Sequence, residues 1–141
     1  MSQQTALIDI EVRYAETDQM GVVHHANYVV WLELARTALC SKTGFHYADI
    51  EKTGFLLMVT GVELRYLRPA FYGDVVQVHA KVGHLASRGV RFEYEVRRGD
   101  ELLSKGATDH IWVDKATRRP CRAPEELRRA FEALGEGGHG P

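Results

Sequence analysis

Residues 13–39 read RYAETDQMGVVHHANYVVWLELARTAL, and this stretch decides the fold because a polar turn runs directly into a strongly apolar helix. Asn27 is a favoured N-cap residue and is predicted to start the helix. Gly44 suits a left-handed cap that ends it after about four turns. Between them, apolar residues recur at helical spacing as Tyr28, Trp31, Leu32, Ala35 and Leu39.

The predicted helix is apolar around most of its circumference. Val30, Leu34 and Ala38 widen the apolar stripe. Only a narrow polar face remains, made of Glu33, Arg36, Thr37 and Ser41. A helix of this kind must be buried on most sides, so the rest of the chain is predicted to cover it.

Length and charge limit the class of protein. The 141 residues suit one domain with a single core. Lys and Arg number 18 against 19 Asp and Glu, so the chain lacks the basic footprint of a protein that binds nucleic acid or an anionic membrane. The sequence therefore predicts no nucleic-acid partner and favours a small or uncharged one.

The number of cysteines and the hydropathy of the chain indicate the cellular compartment of the protein. Cys40 and Cys121 are too few for a disulfide framework and fit a reducing compartment. Cys40 is interpreted as a helix residue and not as a nucleophile, because no cationic neighbour is placed to activate its thiol. The start of the chain lacks a basic leader followed by an apolar run, and no stretch has membrane-spanning length. We expect a cytoplasmic protein without an integral membrane segment.

Five segments show the alternation of half-buried strands. They are residues 7–14, 55–68, 74–85, 90–97 and 102–114. Residues 46–52 are predicted as a short helical connection. Pro124 begins a terminal helix with an apolar stripe of Leu127, Ala130, Phe131 and Leu134. A single domain is predicted over 1–134, followed by a disordered tail over 135–141.

One apolar helix and five amphipathic strands predict an α+β fold. The economical arrangement is a five-stranded antiparallel sheet curled around the long helix, with the short C-terminal helix closing the structure. An open sheet leaves edge strands with unpaired backbone groups. We therefore expect a second copy of the chain to extend the sheet in a homodimer.

The polar turn before the helix carries the candidate chemistry. Gly21 allows a sharp turn close to a ligand, and the helix N-terminus presents unpaired N–H groups that can stabilise an oxyanion. Asp18 precedes both, and its carboxylate can attack a carbonyl or deprotonate water at the same point. Together these features suit acyl transfer.

Simpler interpretations of the same residues stay open. Asp18 alone is typical of a turn, and His24 and His25 alone are more often surface or structural residues. Adjacent histidines project in different directions and no fourth ligand has recognisable spacing, so a metal site is not predicted. Tyr28 and Trp31 fit the core better than they fit a stacking platform.

The run from Tyr14 to Tyr28, YAETDQMGVVHHANY, resembles the signature of the hotdog-fold acyl-CoA thioesterases. The branch is the one that contains 4-hydroxybenzoyl-CoA thioesterase and the Tol-Pal-associated YbgC proteins. The likeness includes Asp18, Gly21 three residues later, the two apolar residues after that glycine, and the Asn-Tyr opening of the helix. It implies a hotdog fold and hydrolysis of a thioester without a metal or an organic cofactor.

The resemblance also implies residue roles. Asp18 stands at the position of the catalytic carboxylate, which is a nucleophile in some members and a general base in others. His25 stands where a backbone N–H polarises the thioester carbonyl, and a histidine there is similar to YbgC, with the imidazole assisting Asp18 or orienting water. His24 replaces the usual aromatic residue, which suggests an influence on acyl specificity. The expected substrate contacts of this segment are Gly21, Val22, His24 and Tyr28.

Coenzyme A carries phosphates, so cationic groups are expected near the mouth of the site. In hotdog thioesterases the turn between the middle strands commonly contributes to nucleotide binding, and here it contains Ser87 and Arg88. An ordinary solvated hairpin is the alternative. A second basic cluster of Lys115, Arg118 and Arg119 can equally be a solvated surface.

Two other functions share this architecture. One is hydration of an enoyl thioester, and the other is a non-catalytic module that binds acyl-CoA or an acyl carrier protein and has little need for Asp18. The expected partners are an acyl-CoA or acyl-carrier-protein substrate and a homodimer or dimer of dimers. The acyl group is not predicted, because pocket depth depends on the packing of Trp31, Met58, Val59 and Tyr66.

Overall fold

A computed structural model of the chain describes residues 5–44 and 47–135. The strands are β1 (Thr5–Glu11), β2 (Phe55–Tyr66), β3 (Val75–Leu85), β4 (Gly89–Arg98) and β5 (Glu101–Asp114). The helices are α1 (Ala26–Ser41), α2 (Tyr47–Lys52) and α3 (Glu125–Gly135), and a 3₁₀ turn covers Tyr14–Glu16. The predicted α+β class is confirmed.

The strands form one antiparallel sheet in the order β1-β3-β4-β5-β2. β3, β4 and β5 pair as consecutive neighbours, whereas β2 pairs with β5. β1 pairs with β3, and Glu11 at its end lies opposite Val75 at the start of β3. β1 and β2 are therefore the edge strands, and the turn that follows β1 lies at the end of the sheet where β3 begins.

One face of the sheet is apolar and faces α1. The alternation predicted for β3 and β4 is confirmed, because their inward residues are buried: Val76, Val78, Ala80, Val82, Val90, Phe92, Tyr94 and Val96. The buried side of α1 consists of Tyr28, Trp31, Leu32, Ala35, Arg36, Leu39 and Cys40. Removal of these two apolar surfaces from water is the main force that holds the helix on the sheet.

The polar face predicted for α1 is wrong at Arg36. Its side chain is buried, and its guanidinium donates a hydrogen bond to the Tyr94 hydroxyl at 3.2 Å. The Tyr94 and Thr108 hydroxyls are 2.6 Å apart, and the Thr108 hydroxyl lies 2.9 Å from Nε2 of His110. A polar chain therefore crosses the core, and burial, followed by the nearby charge of Arg36, lowers the pKa of His110 to about 4.

Another side of α1 is uncovered in the single chain. Val30 and Leu34 are half exposed, although the sequence predicts burial on most sides. Met58, Val59 and Val62 on the edge strand β2 are exposed to a similar degree. The single chain thus leaves apolar surface both on its central helix and on an unpaired strand edge.

The first strand ends earlier than predicted. Tyr14 is not an inward strand residue, because β1 ends at Glu11 and Tyr14 is exposed in the 3₁₀ turn. The N–H of Glu16 bonds to the carbonyl of Arg13 at 3.0 Å, and the Glu16 carboxylate accepts the N–H of Arg13 at 2.9 Å. These two bonds close a turn after the last backbone pairing of this segment, in which Val12 bonds to Asp74 and Gly73.

The remaining connections agree with the sequence in outline. Gly44 has φ of 89°, as expected of the left-handed residue after α1. The short helix α2 begins at Tyr47, and His46 of the predicted segment lies outside the described residues. α3 continues to Gly135, one residue into the predicted tail, and 136–141 lie outside the described residues. In residues 5–44 and 47–135, no helix combines the length and the hydrophobicity needed to cross a membrane.

Candidate active site

Asp18 lies in a turn that is closed around its own side chain. Its Oδ1 accepts hydrogen bonds from the N–H groups of Met20 at 2.8 Å and Val22 at 3.2 Å. The N–H of Gly21 bonds to the Asp18 carbonyl at 3.0 Å, and Gly21 has φ of 79°, which a side chain would disfavour. In the described part of the chain, Oδ2 of Asp18 has no hydrogen-bond partner. One carboxylate oxygen therefore fixes the turn, and the other is available for chemistry.

The first turn of α1 provides one amide without an acceptor. Ala26 N–H bonds to Nδ1 of His24 at 3.2 Å, and the N–H groups of Asn27 and Tyr28 bond to the carbonyls of His24 at 3.0 Å and His25 at 3.2 Å. Among residues 5–44 and 47–135, the N–H of His25 meets no acceptor. It precedes the helix, where the partial positive charge of the helix dipole favours a developing anion.

Asn27 is not the N-cap of α1, which corrects the prediction. The helix begins at Ala26, with His25 as the N-cap residue in a helical conformation and without a side-chain cap bond. The side-chain amide of Asn27 instead donates to the carbonyl of Glu16 at 2.9 Å. That bond connects the helix to the turn before Asp18.

A cleft of about 360 Å³ lies between the turn and the end of β2, and we call it the Asp18 cleft. It is lined by Asp18, Val22, Val23, His24, His25, Tyr28, Tyr66, Leu67, Arg68 and Pro69. The predicted residues Asp18, Val22, His24, His25 and Tyr28 are thus brought together, and Gly21 forms the turn beside them. The residues that carry the available carboxylate oxygen and the unpaired amide, Asp18 and His25, thus line one space.

Comparison with protein families matches this chain over residues 12–131 to the thioesterase-like superfamily. That range contains the whole Asp18 cleft and most of the sheet. The chain belongs to the thioesterase-like superfamily. The predicted family, and with it a thioester hydrolase, is therefore confirmed.

Named relatives and solved structures agree with this placement. The thioesterase is 42% identical over 124 residues to YneP of Bacillus subtilis, which is named provisionally as an acyl-CoA thioesterase, and the match covers 87% of each chain. It is 29% identical to the acyl-CoA thioesterase YbgC of Haemophilus influenzae, covering 89% of this chain and 93% of that one. The crystal structure of DHNA-CoA thioesterase from Staphylococcus aureus superimposes with a TM-score of 0.87 at 34% identity, covering 96% and 95% of the two chains. The predicted hotdog fold is confirmed.

Several aromatic rings line the Asp18 cleft of this thioesterase. The rings of His24 and His25 stack at 4.3 Å between centroids, and the ring of Tyr66 meets Tyr28 edge-on at 5.0 Å. The hydroxyl of Tyr66 donates to the His25 carbonyl at 3.0 Å. Burial raises the pKa of both Tyr28 and Tyr66, so each hydroxyl stays protonated at neutral pH.

One wall of the cleft comes from the segment after β2, which sequence reasoning missed. The carbonyl of Ala70 accepts the N–H of Val23 at 2.9 Å, which ties this segment to the Asp18 turn. Arg98 holds the segment from the sheet side: it donates to Asp74 at 2.6 Å and to the Pro69 carbonyl at 3.4 Å. No motif in 67–74 indicates this wall, because it is made by backbone pairing with a distant segment.

Ser87 and Arg88 do not line the Asp18 cleft of their own chain. They lie in the turn between β3 and β4, at the end of β3 away from the Asp18 turn. Their carbonyls accept the N–H groups of Ala123 and Trp112. Lys115, Arg118 and Arg119 follow β5 and are also absent from the lining. Arg68 is the cation that the fold does place at the cleft.

A larger groove of about 730 Å³ lies on the outer face of the sheet and contains none of the candidate residues. Several of its charged side chains are paired within the protein: Arg91 with Asp109 at 2.8 Å and Glu63 at 3.2 Å, and Lys81 with Glu93 at 3.8 Å. Across residues 5–44 and 47–135, no three His, Cys, Asp or Glu side chains are grouped as a metal would require.

Proposed function

We propose that this thioesterase hydrolyses an acyl-CoA to a free acid and coenzyme A at the Asp18 cleft. The observation that supports this most is that Asp18, which has an available carboxylate oxygen, and His25, which has an unpaired N–H, line the same cleft. The similarity to named acyl-CoA thioesterases supports the carrier group. No other function has a comparable observation in its favour.

In the proposed reaction, an oxygen nucleophile adds to the thioester carbonyl and the carbonyl oxygen becomes an oxyanion. The N–H of His25 donates to that oxyanion. The carbon–sulfur bond then breaks, and the departing thiolate takes up a proton. Asp18 either removes the proton from the attacking water or attacks first, in which case water cleaves the resulting mixed anhydride.

Asp18→Asn tests the carboxylate with little effect on the fold. An asparagine Oδ1 can still accept the N–H groups of Met20 and Val22, so the turn should persist. We expect thiol release to fall by about 10² to 10⁴-fold. Asp9→Asn on the exposed edge of β1 is the matched control and should keep full activity. Near-normal hydrolysis of every accepted acyl-CoA by Asp18→Asn would rule out this mechanism.

His25→Pro isolates the amide. His25 has φ of −55°, which proline adopts, and its N–H has no acceptor in the described chain, so His25→Pro removes the proposed oxyanion donor together with the imidazole, whereas His25→Ala removes the imidazole alone. We expect about 10² to 10³-fold loss of kcat. His25→Ala keeps the N–H and should lose much less. Equal activities of the two variants would contradict the role of the amide, and a loss in His25→Ala equal to that of Asp18→Asn would instead indicate essential imidazole chemistry.

We propose an aromatic acyl group as one substrate class. The cleft is bordered by the half-exposed ring of Tyr66 and by the ring of His24, which favour a planar group by ring stacking. The solved relative from Staphylococcus aureus is titled a DHNA-CoA thioesterase. A thiol-release panel of aromatic, short aliphatic and long aliphatic acyl-CoAs tests this, and a preference for aliphatic groups would refute it.

We also propose that the working unit is a homodimer or a dimer of dimers. A second copy would cover the exposed apolar residues of α1 and satisfy the open edge of β2. Ser87 and Arg88 do not line the cleft of their own chain. In a dimer they could bind the nucleotide of a coenzyme A that occupies the cleft of the partner chain. Light scattering that gives a stable monomer at micromolar concentration would contradict this assembly.

A further inference from the structure

Glu16 is a buried carboxylate that the proposed reaction does not use. Glu16 lies two residues before Asp18 and is only 5% exposed. Oε1 accepts the N–H of Arg13 and Oε2 accepts the indole N–H of Trp31, both at 2.9 Å. Burial alone would raise the pKa of Glu16, but these hydrogen bonds and the charge of Arg13 outweigh it and lower the pKa, so the group is ionised.

The backbone of Glu16 makes a second set of bonds to the same helix entrance. Its carbonyl accepts the N–H of His24 at 2.8 Å and the side-chain amide of Asn27 at 2.9 Å. Glu16 therefore contacts His24, the residue before His25, as well as the first turn of α1 at Asn27 and the second turn at Trp31. No other residue of the Asp18 turn is bonded to α1 by both its side chain and its backbone in the described chain.

The position requires a side chain with two acceptors. Both oxygens of Glu16 receive N–H donors, one from the turn and one from the helix. Glutamine has the same shape but offers one acceptor and one donor, so its NH₂ group would face either the Arg13 N–H or the Trp31 N–H. Two N–H donors that face each other in a buried site lower the stability of the fold, so one of the two partners would be displaced.

We propose that Glu16 is a positioning residue that sets the distance between the Asp18 carboxylate and the His25 amide. This inference rests on the proposed thioester hydrolysis. Asp18 is attached to one side of the Glu16 connection and His25 to the other, so a shift at Glu16 changes the separation of the two groups. Misplacement of about 1 Å is enough to cost on the order of 10² in rate.

Glu16→Gln tests the proposal in the full-length thioesterase. We expect kcat to fall by about 10 to 100-fold while KM stays within about threefold. Because Glu16 acts through Asp18, adding Glu16→Gln to Asp18→Asn should lower the residual rate by less than about twofold. Trp31→Phe removes one of the two donors, so Glu16→Gln combined with Trp31→Phe should lose less kcat than the product of the two single losses.

A second measurement reports the geometry without activity. The chain has two tryptophans, and the indole N–H of Trp31 bonds to Glu16, whereas that of Trp112 has no partner among the described residues. In a ¹H–¹⁵N spectrum, Glu16→Gln should shift the Trp31 indole resonance and leave the Trp112 resonance in place. Absence of hydrolysis in the wild type would count against the proposed function, and the indole shift would still test the Glu16 contact.

The outcomes separate positioning from simple stability. A shifted Trp31 resonance with unchanged kcat would make Glu16 a structural residue and overturn the proposal. The proposal would also fail if Glu16→Gln lowered the rate of the Asp18→Asn variant as much as it lowers the rate of the wild type. If Glu16→Gln does not fold, Asn27→Ala removes only the tether to the Glu16 carbonyl and should lower kcat by about 3 to 10-fold with the Trp31 resonance unmoved. Wild-type kcat in Asn27→Ala would then overturn it.

Discussion

The hydroxyl of Tyr66 donates a hydrogen bond to the carbonyl oxygen of His25 at 3.0 Å. Tyr66 ends β2, and His25 precedes α1, so this hydrogen bond joins the edge strand to the helix entrance. The same carbonyl accepts the N–H of Tyr28. The orientation of the peptide beside the proposed oxyanion donor thus depends on a residue far outside the Asp18 turn.

Tyr66→Phe should lower kcat/KM by about 3 to 10-fold, because it removes the bond to His25 and keeps the ring against Tyr28. Steady-state thiol release measures the effect. Tyr72→Phe is the control, since Tyr72 is exposed and contacts Tyr14 by its ring. Identical kinetics for Tyr66→Phe and Tyr72→Phe would show that this bond is dispensable.

Arg98→Ala should raise KM by about 3 to 10-fold with a small effect on kcat. Arg98 bonds to Asp74, to the Pro69 carbonyl and to Glu101, and loss of the first two bonds loosens the wall of the cleft while the hydrogen bonds of the Asp18 side chain stay in place. Arg97→Ala removes a neighbouring cation whose partner is Glu95 on the sheet, and it should leave KM unchanged. A fall in kcat alone for Arg98→Ala would contradict the assigned role.

Val62→Lys should convert the wild-type assembly to monomers at micromolar concentration and reduce thiol release at least about tenfold, since it puts a charge on the open apolar edge of β2. Leu7→Lys places the same charge on the exposed edge of β1 and should preserve both assembly and activity. Light scattering with parallel kinetics measures this. Dissociation by Leu7→Lys instead of Val62→Lys would move the interface to the other edge.

Stability should fall between pH 6.5 and 4 in a manner that depends on His110. Burial lowers the pKa of His110 from 6.5 to about 4, so the unfolded chain binds a proton that the folded chain excludes in this interval. The contribution is full above pH 6.5 and decreases as the pH drops, by up to about 3 kcal/mol. Urea unfolding of wild type and His110→Gln at pH 7 and 4.5 measures it. Equal losses in both proteins would contradict this account.

Strand faces and the central helix could be predicted from the sequence because their signal is local. In β4, Phe92 and Tyr94 alternate with Arg91 and Glu93. When one face of a strand is buried, such an alternation determines which residues face the core. The polar turn was recognisable for a similar reason. Asp18, Gly21 and His25 are close in sequence, so their spacing survives folding with little change.

Residues whose partners are distant in sequence could not be assigned correctly. Asn27 is a residue type that is favoured at the N-cap, but its side-chain amide donates to the Glu16 carbonyl, 11 residues earlier, and does not cap the helix. Arg36 has the spacing of a polar face, but the Tyr94 hydroxyl, 58 residues later, accepts its hydrogen bond in the core. The position of each side chain depends on a tertiary contact, and the periodicity of the sequence does not predict such contacts.

The backbone hydrogen bond between Val23 and Ala70 holds two separate stretches of the chain on opposite sides of the cleft, and this separation determines how acyl selectivity can change. The reacting groups belong to one stretch of chain, and the facing wall, 67–69, belongs to another that carries no proposed catalytic group. Substitutions in the wall can resize the space offered to an acyl chain while the chemical machinery stays intact. A library confined to 67–69 is therefore the direct route to variants with altered acyl preference and retained turnover.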